Sequence, residues 1–444
     1  MVKLIKFNKR VGMKFLKVTD SQFEKQFQEL LKRGELDIAQ VEPVVKSILE
    51  EVKRRGNEAV MEQVARFDRW TPTSPEELEI DPAEMERAYR ELPPRLREAL
   101  ETAYRRIENY HRQQLPKSWL TFEENGIILG QKVTPVQRAG VYVPGGKAFY
   151  PSSLLMNVIP ARVAGVEEVV VTTPVIENNP HPLLLAALYL CGMPRCFKVG
   201  GAAAIGAMAY GTETIPKVDV ISGPGNIYVA TAKKLVYGEV NIDMIAGPSE
   251  IGIIADETAN PRYLAIDLLS QAEHDEMASS ILITPSQQIG EATIAEIYRL
   301  LPTLSRREIA SKSIEERGAV IVTATLKEAV ELMNQIAPEH LEIVTKAPFE
   351  LLPYIKNAGA IFLGPETTEP IGDYIAGPNH TLPTGGTARF FSPLSVELFL
   401  KKSSIIHFSK RGIEELGEAT ALLAEAEELT AHQKAVLMRL EKEE

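Results

Sequence analysis

Residues 219–233 read DVISGPGNIYVATAK, a short β-rich run that closes in a Gly-Pro-Gly turn and continues into a helix-like segment. A strand, a tight turn and a helix in this order predict one βα unit of a parallel sheet. Glycine-rich backbone at the end of a strand, ahead of a helix, can also present N–H groups to a phosphate. The stretch therefore predicts a fold class and a position for an anionic ligand.

The same pattern recurs along the middle of the chain. Further β-rich runs, each bounded by a turn and a helix-like segment, are GVYVPGG, EEVVVTTP, EIGIIAD, SILITPS, AVIVTAT, LEIVTK and AIFLGP. Alternation of strands and helices favours parallel sheets built from βαβ units. Amphipathic spacing predicts an all-helical region over residues 20–115, and the chain from about residue 391 is again expected to be mostly helical.

Gly-Pro pairs punctuate this pattern at four places, which are Gly223-Pro224, Gly247-Pro248, Gly364-Pro365 and Gly377-Pro378. The first three follow apolar runs, which places them at the carboxyl ends of strands, where open α/β sheets bind their ligands. The alternative is that Gly-Pro simply makes a good turn.

Composition limits the class of protein. The chain has 444 residues, 45% of them hydrophobic, and a net charge of -11 without a lysine- or arginine-rich block, which argues against nucleic acid or an anionic membrane as partner. No apolar run approaches the roughly 20 residues that span a bilayer, and the initial MVKLIKFNKRVG lacks the apolar core of a signal peptide, so a cytosolic protein is expected. Met13 is a second candidate start, and the first twelve residues are expected to be dispensable if translation begins there. Cys191 and Cys196 are interpreted as buried small hydrophobes.

Two clusters carry side chains that can bind a metal. Gln271 and His274 are three apart in RYLAIDLLSQAEHD, so that one helix face would present both; the alternative is a solvated helix end. Asp373 and His380 lie in GDYIAGPNHTLPTGG, which is predicted to be a shaped loop. An Asx turn is the alternative for the aspartate.

Two more clusters carry groups that can transfer protons. Pro338 ends a predicted helix, and Glu339 and His340 follow it just before a strand-like run; a histidine there can accept a proton and a glutamate can activate water. The alternative is a helix end with incidental polarity. Near the carboxyl terminus, Thr430 and Gln433 resemble a capping box, which predicts a helix there.

That last helix would hold His432 in its first turn, with Glu427 just before it, or else expose the histidine on a docking surface. Together, Gln271, His274, Asp373 and His432 make a nitrogen and oxygen ligand set without thiolate, which suits zinc or manganese and leaves positions for a substrate. A G-x-G-x-x-G fingerprint does not follow any predicted strand. Instead, glycine-rich strand ends occur in VYVPGGKAFYPSS, KVGGAAAIG and SGPGNIYVATAKK.

These stretches, together with AGPSE, LLSQAEH, APEHLE, GPNHTLPTGG and the terminal AHQKAV, are similar to the histidinol dehydrogenase family. The resemblance runs from about residue 35 to the carboxyl terminus. It implies an α/β fold with two Rossmann-like parallel-sheet domains and small helical extensions, assembled as an intertwined dimer. The expected boundaries are an N-terminal extension over 1–33, a first domain over 34–140 plus 250–390, a second, NAD-binding domain over 141–249, and a dimerisation segment over 391–444.

The resemblance also implies the chemistry. L-Histidinol would be oxidised to L-histidine through L-histidinal with two NAD, in the last step of histidine biosynthesis. One zinc per subunit would be held by Gln271, His274, Asp373 and His432, and Glu339 and His340 would be the acid/base pair. The residues matching substrate contacts are Ser249, Gln271, His274, His340, Asp373, His380, Glu427 and His432.

For the cofactor, Tyr142 and Asn226 match family contacts with NAD. The family commonly has glutamine where this chain has Ala203, so that contact would be lost. In the intertwined homodimer, the C-terminal segment reaches the neighbouring site, so that Glu427 and His432 would act in trans.

Other functions remain open. A relative that oxidises another small alcohol to its acid with NAD is the main alternative, and Ala203 favours it. A zinc hydrolase would form product without NADH and leaves the glycine-rich strand ends unexplained. A catalytically silent nucleotide-binding module would have no use for the dispersed ligand-type residues.

Overall fold

The computed structural model describes residues 12–34, 38–145, 150–192 and 194–441. They form two parallel sheets with helices on both faces and a small antiparallel sheet, which confirms the predicted α/β class. The first eleven residues, and Gly146 and Lys147 of the first glycine-rich strand end, lie outside the described residues.

The helices are numbered α1 to α17 in chain order. They are Phe23–Leu31, Ile38–Arg55, Asn57–Phe67, Pro82–Glu91, Pro94–Arg112, Pro151–Ala164, Pro182–Leu190, Gly201–Tyr210, Ile227–Val236, Pro261–Ala272, Gln287–Leu300, Arg307–Arg317, Leu326–Ile336, Pro348–Leu351, Glu369–Tyr374, Lys410–Ala426 and Thr430–Leu440.

The strands are numbered β1 to β14 in the same way. They are Lys14–Lys17, Trp119–Phe122, Ile128–Pro135, Arg138–Tyr142, Glu168–Thr173, Arg195–Lys198, Val220–Ser222, Asn241–Ile242, Glu250–Ala255, Ser279–Thr284, Ala319–Val322, His340–Val344, Ala360–Leu363 and Leu400–His407.

The first parallel sheet has five strands in the order β6-β5-β4-β7-β8. The strand order reverses between β4 and β7, which makes the space outside their carboxyl ends the expected ligand crevice. Gly223 follows β7 there with φ +120°, and a Cβ on it would clash with the carbonyl oxygen of Tyr142 at the end of β4. Glycine is therefore required where the two strands end side by side.

Alternate residues of this sheet enter two separate cores. Val141 and Val171 pack with α4 to α7 on one face. Val170 and Ile221 pack with α2, α3, α8 and α9 on the other. The sheet is therefore covered by helices on both sides, as a parallel sheet requires.

This packing differs from the predicted grouping of residues 34–140 with residues 250–390. Helices α2 to α5 and strand β4 bury their apolar faces with the five-stranded sheet. The amphipathic pattern predicts that a helix covers a sheet, but it does not say which sheet.

The second parallel sheet has six strands in the order β1-β11-β10-β9-β12-β13. Helices α10, α11 and α12 cover one face, and α1 and α13 cover the other. The N-terminal extension was expected to be helical, but residues Lys14–Lys17 form the edge strand, paired in parallel with β11. A four-residue strand is too short to show a clear period-two pattern.

The third sheet is antiparallel, in the order β14-β3-β2. Its strand β14 belongs to the C-terminal segment, which was expected to be mostly helical, and it pairs along its whole length with β3. The run LKKSSIIH does not alternate regularly between apolar and polar residues, so periodicity alone misses it. Helices α16 and α17 follow and pack on each other.

The two cysteines are free and buried, which confirms their interpretation as small hydrophobes. Burial raises the pKa of Cys191 to about 12. Among the residues that the structure describes, every helix is too short or too polar to cross a membrane.

Candidate active site

The candidate site lies at the amino ends of β9 and β12, which are neighbours in the six-stranded sheet. The backbone N–H of Glu250 donates to Glu339 Oε2 at 2.8 Å. The Nδ1 of His340 lies 3.0 Å from the carbonyl oxygen of Glu250. Since a carbonyl only accepts, Nδ1 carries the proton, and one backbone residue orients both candidate acid/base side chains.

The Nε2 of His340 faces two carboxylates. It lies 3.5 Å from Asp373 Oδ1 and 3.9 Å from Glu369 Oε1. Neither Nε2 of His340 nor Oε1 of Glu369 has a hydrogen-bond partner among the described residues, although both are buried. Buried polar atoms without partners are costly, which marks this point as a position for a ligand.

Three side chains meet closely enough to hold a metal ion. One ligand atom each from His274, Glu369 and Asp373 lies within 4.8 Å of the others. The predicted ligands His274 and Asp373 are thus brought together from α10 and α15. Imidazole nitrogen and carboxylate oxygen form a donor set that zinc accepts.

Gln271 adds the strongest sign of a missing partner. Its side chain is fully buried, with 0% exposure, and neither its Oε1 nor its Nε2 makes a hydrogen bond to any described residue. The backbone N–H of His274 donates to the carbonyl of Gln271, which keeps the two residues on one turn. The donor set therefore fits a bound cation.

The local structure around these ligands differs from the prediction in two details. Helix α10 ends at Ala272, so His274 lies just beyond the helix rather than inside it. Asp373 lies in the short helix α15 rather than in a loop.

The pKa values of Glu339 and His340 are both raised, but for different reasons. Burial raises the pKa of Glu339 to about 8. Burial lowers the pKa of His340, but the nearby carboxylates, Glu339 foremost, outweigh it and raise the pKa to about 10. Burial opposes ionisation of Asp373, yet the close approach of His340 Nε2 and the charge of the nearby imidazoles lower its pKa.

Glu369 and Glu342 are the residues that the sequence reasoning missed. Burial raises the pKa of Glu369 to about 7, and the backbone N–H of Glu369 donates to Glu342 Oε1 at 2.9 Å. Spacing could have found both residues. Glu369 is four positions before Asp373, hence on the same helix face, and Glu342 is two positions after His340, hence on the same strand face.

Two further predicted residues lie beside this group. Ser249 is half-buried just before β9. The Nδ1 of His380 lies 3.0 Å from the carbonyl oxygen of Asp373, and its Nε2 lies 3.3 Å from Ser153 Oγ in α6. Because α6 belongs to the five-stranded sheet, this contact links the two halves of the molecule at the site.

The C-terminal residues are not part of this group within one chain. Glu427 and His432 are exposed, and among the described residues α17 packs extensively only on α16. Helix α17 begins at Thr430 as predicted, but its N-cap is Leu429 and no side chain caps it, so the predicted capping box is wrong.

The predicted cofactor residues lie around the crevice of the five-stranded sheet. Tyr142 is buried, and its hydroxyl accepts from the Gly201 N–H at the start of α8 at 3.2 Å. Asn226 caps α9, accepting from two backbone N–H groups. Ala203 lies within α8, where it is 2% exposed and packs in the hydrophobic core.

The starts of α8 and α9 can bind an anion. Both helices have ten residues, and both begin at the carboxyl edge of the sheet. A Cβ on Gly201 would have no heavy atom within 4 Å. The backbone at the start of α8 is therefore open, and a helix start of this kind can hold a phosphate group at the N–H groups that Tyr142 and Asn226 leave free.

Three Gly-Pro pairs were predicted to follow strands, and the structure confirms two of them. Gly223 follows β7 and Gly364 follows β13, both at carboxyl ends of strands as predicted. Gly247 instead precedes β9, and its N–H bonds the Thr384 hydroxyl, so the prediction for Gly247 is wrong. The apolar run before it is a loop after the two-residue strand β8.

The fold and the site define an α/β protein with two parallel sheets, in which a dinucleotide-type crevice lies beside a group of imidazole and carboxylate side chains. Comparisons with known proteins point to one family. The family profile described as Histidinol dehydrogenase matches residues 31–440. Histidinol dehydrogenase of Sulfurimonas denitrificans is 62% identical over 430 residues, covering 97% of this chain and 100% of the relative.

A second relative, histidinol dehydrogenase of Wolinella succinogenes, is 63% identical over 420 residues, covering 95% of this chain and 97% of its own. A crystal structure of histidinol dehydrogenase from Elizabethkingia anophelis superposes with a TM-score of 0.92 at 35% identity, over 98% of this chain and 99% of that one. The chain belongs to the histidinol dehydrogenase family, which is a family of oxidoreductases.

Proposed function

We propose that this protein oxidises L-histidinol to L-histidine through L-histidinal, with reduction of two NAD, as the last step of histidine biosynthesis. Membership of the histidinol dehydrogenase family supports the substrate. The observation that carries the chemistry is the Gln271 amide, which is fully buried and has no hydrogen-bond partner among the described residues, next to a group of imidazoles and carboxylates. A cytosolic location remains a prediction.

One zinc per subunit fits this donor set. Gln271, His274 and Asp373 would supply ligands from one chain, and His432 would come from a second copy. Glu369, which lies within 4.8 Å of the His274 and Asp373 ligand atoms, adds negative charge beside the cation. When bound, zinc would hold the imidazole and amine of the substrate and offset the carboxylates around His340, while NAD would accept the hydrides.

His340 accepts the alcohol proton at Nε2. Its Nδ1 proton is held by the Glu250 carbonyl at 3.0 Å. Once a bound cation offsets the surrounding carboxylates and the ring is neutral, Nε2 would carry the lone pair, and that atom has no hydrogen-bond partner in the described residues. The fixed ring aims the base at one point, where the hydroxyl of the substrate would lie.

Glu339 assists the addition of water to the aldehyde. Burial places its pKa at about 8, so the carboxyl can exchange a proton near neutral pH. The Glu250 N–H holds Oε2 at 2.8 Å, which leaves the other carboxyl oxygen to orient the water. Ser249 and His380 border the same space and would contact the substrate.

The protein would work as a homodimer in which Glu427 and His432 act in trans. Large apolar side chains are exposed on the antiparallel sheet and the C-terminal helices of the single chain, including Phe122, Ile406, Leu422, Leu423 and Met438. Large apolar side chains exposed on strands of one sheet and on two helices packed together favour a protein interface. A second copy would cover it and bring the missing ligand to the zinc site.

NAD would lie in the crevice between β4 and β7, with its pyrophosphate at the starts of α8 and α9. Tyr142 and Asn226 would border it. The family glutamine is replaced by Ala203, whose methyl group is buried, so that contact is lost here and the backbone donors carry more of the binding.

The test is the stoichiometry of the reaction. Zinc-loaded protein is incubated with limiting L-histidinol and excess NAD, and NADH and L-histidine are measured. We expect about two NADH for each L-histidinol consumed. Chelation should abolish turnover, and one equivalent of zinc should restore it.

Different results would support the alternatives. Turnover of another amino or sulfonated alcohol, with none of L-histidinol, would identify the relative that oxidises another alcohol. Product formed without NADH would identify a hydrolase. Either result would contradict the proposal.

A further inference from the structure

We propose that Arg106 and His111 of α5 are positioning residues that hold the segment from Asp373, at the end of α15, to His380, in the loop that follows, against the cofactor-binding half. This inference rests on the proposed function, since it assigns these residues to the same site. Among the described residues, neither side chain bonds to His274, Glu369 or Asp373. Arg106 would act through the carbonyls of Ile375 and Ala376, and His111 through the side-chain amide of Asn379.

Arg106 forms hydrogen bonds with the start of the loop that follows α15. Its Nε donates to the carbonyl of Ile375 at 2.7 Å, and its NH2 group donates to the carbonyl of Ala376 at 3.0 Å. Hydrogen bonds from a charged group to a carbonyl are about twice as strong as neutral ones. The guanidinium therefore fixes two consecutive peptide units directly after Asp373.

The loop also lies directly against the helix backbone. Gly377 has φ +119°, and a Cβ there would lie 2.9 Å from the carbonyl oxygen of Arg106. A side chain at this position would push the loop off the helix. This close approach assigns a role to Gly377, whose Gly-Pro pair is not explained by a strand end.

His111 holds the far end of the segment. It is fully buried, with 0% exposure, and its Nδ1 lies 2.8 Å from the carbonyl oxygen of Ile107 and must donate to it. Nε2 is therefore an acceptor, and the Asn379 amide donates to it at 3.2 Å. Burial lowers the pKa of His111, which keeps the ring in this neutral form.

Asn379 connects His111 to helix α6 and to the residues that follow in the chain. Its amide also donates to the carbonyl of Met156 in α6, and its Oδ1 accepts from the Thr381 N–H at 2.8 Å. His380 lies between Asn379 and Thr381 in the chain, and its Nδ1 donates to the Asp373 carbonyl. Both ends of the segment, and with them Asp373 and His380, are thus tied to α5 and α6.

The attachment crosses between the two halves of the molecule. Leu100, Ala103 and Ile107 of α5 pack in the core of the five-stranded sheet, whereas Asp373 faces the six-stranded sheet through His340. Helix α5 therefore sets the distance between a substrate held near Asp373 and a nicotinamide in the crevice. An error of about 1 Å in such a distance can reduce turnover about 100-fold.

The experiment compares Arg106→Met and His111→Leu with the parent protein and with Arg105→Met. Arg105 is the matched control, because it is exposed on the same helix and its hydrogen bonds to described residues stay within that helix, to Glu101 and Thr102. Zinc affinity is measured by competition with a chelator, NAD affinity by titration, and kcat and KM for L-histidinol by NADH formation.

We expect both variants to bind zinc about tenfold more weakly and to lose about tenfold or more in kcat/KM, since outer groups that orient a ligand have effects of this size. NAD affinity should stay within about twofold of the parent value. Arg105→Met should match the parent in every measurement. His111→Gln, which keeps an acceptor for the Asn379 amide, should recover most of the loss.

A purely structural role for α5 would lower thermal stability but leave zinc affinity and kcat/KM unchanged, and that result would overturn the inference. If His111→Leu does not fold, the exposed Arg106 decides the question alone. A parent protein that neither binds zinc nor oxidises L-histidinol would overturn the proposed function and this inference with it. An active parent with parent-like variants would overturn the inference alone.

Discussion

Gln271 illustrates at the residue scale how this site trades stability for function. A buried amide with both polar atoms unpaired costs free energy in the folded chain. A ligand that binds the amide would offset this cost. For that reason we assign the Gln271 amide to a cation.

Replacement of this residue separates stability from binding. Gln271→Leu removes the two unpaired atoms, so we expect the metal-free protein to gain about 1–2 kcal/mol in free energy of unfolding. The same variant should bind zinc at least about tenfold more weakly. Urea denaturation of chelated protein and chelator competition measure the two effects.

Asn379→Leu is the matched control for stability, because that buried amide is fully bonded. It should destabilise the metal-free protein. A loss of stability in Gln271→Leu as well would mean that the amide has a partner within the protein.

His340 and His274 are both imidazoles of the site, but they have different proposed roles. His340→Asn removes the base without removing a ligand, so zinc content should stay at one per subunit while kcat falls roughly 100-fold or more. His274→Asn should lose zinc and activity together. Metal analysis and steady-state kinetics on both variants distinguish the roles. Full activity of His340→Asn, or one retained zinc in His274→Asn, would refute the respective assignment.

At the scale of elements, helix α3 carries an unfavourable charge at its end. Asp68 is the C-cap residue of Asn57–Phe67, where the helix dipole disfavours a carboxylate. Burial raises the pKa of Asp68 to about 7. The folded state therefore binds the proton more tightly than the unfolded chain does, and stability falls as pH rises through 7.

Asp68→Asn removes this titration. The variant should be more stable than the parent at pH 8, and the difference should shrink by about 2 kcal/mol when the pH is lowered to 5, after allowance for the water that still reaches the carboxyl group. Urea denaturation at the two pH values measures the difference for parent and variant in parallel. A difference that does not change with pH would contradict the assignment.

At the scale of the whole molecule, the proposed zinc site is complete only if a second copy supplies His432. In a heterodimer of His274→Asn and His432→Asn chains, both defects fall in one site and the other site is intact. Co-expression with two affinity tags and purification through both should therefore recover about half of the parent activity.

Heterodimers of His274→Asn and Asp373→Asn are the control. Each of their sites carries one defect, so they should stay inactive. If His432 acted within its own chain, the first pair would also stay inactive, and the proposal of a site shared between two chains would be wrong.

Much of this architecture follows from local sequence. Runs such as DVISGPGN and EEVVVTTP predict strands because β-branched residues end in turns, and they appear as β7 and β5. The same local signals fail for β1 and β14, since a four-residue edge strand and an irregularly patterned run carry little periodicity. Their strand conformation comes from pairing with β11 and β3, which are distant in sequence.

The candidate ligands were similarly visible as residue types, but their meeting was not. Gln271, His274 and Asp373 were found from ligand chemistry and from resemblance to a family, while Glu369 and Glu342 were missed because a glutamate in a helix or strand is ordinarily a solvated residue. Only the packing of α10, α15 and β12 brings these side chains together and buries Gln271, Glu342 and Glu369.

The sequence by itself determined the α/β class, the alternation of strands and helices, the buried thiols and the family of oxidoreductases, because these depend on local periodicity and on motifs of contiguous residues. The tertiary structure alone decided that α2 to α5 cover the five-stranded sheet, that Glu250 orients both Glu339 and His340, and that α5 holds the loop after Asp373. These features depend on contacts between residues far apart in the chain, which arise only when apolar faces are buried against particular partners.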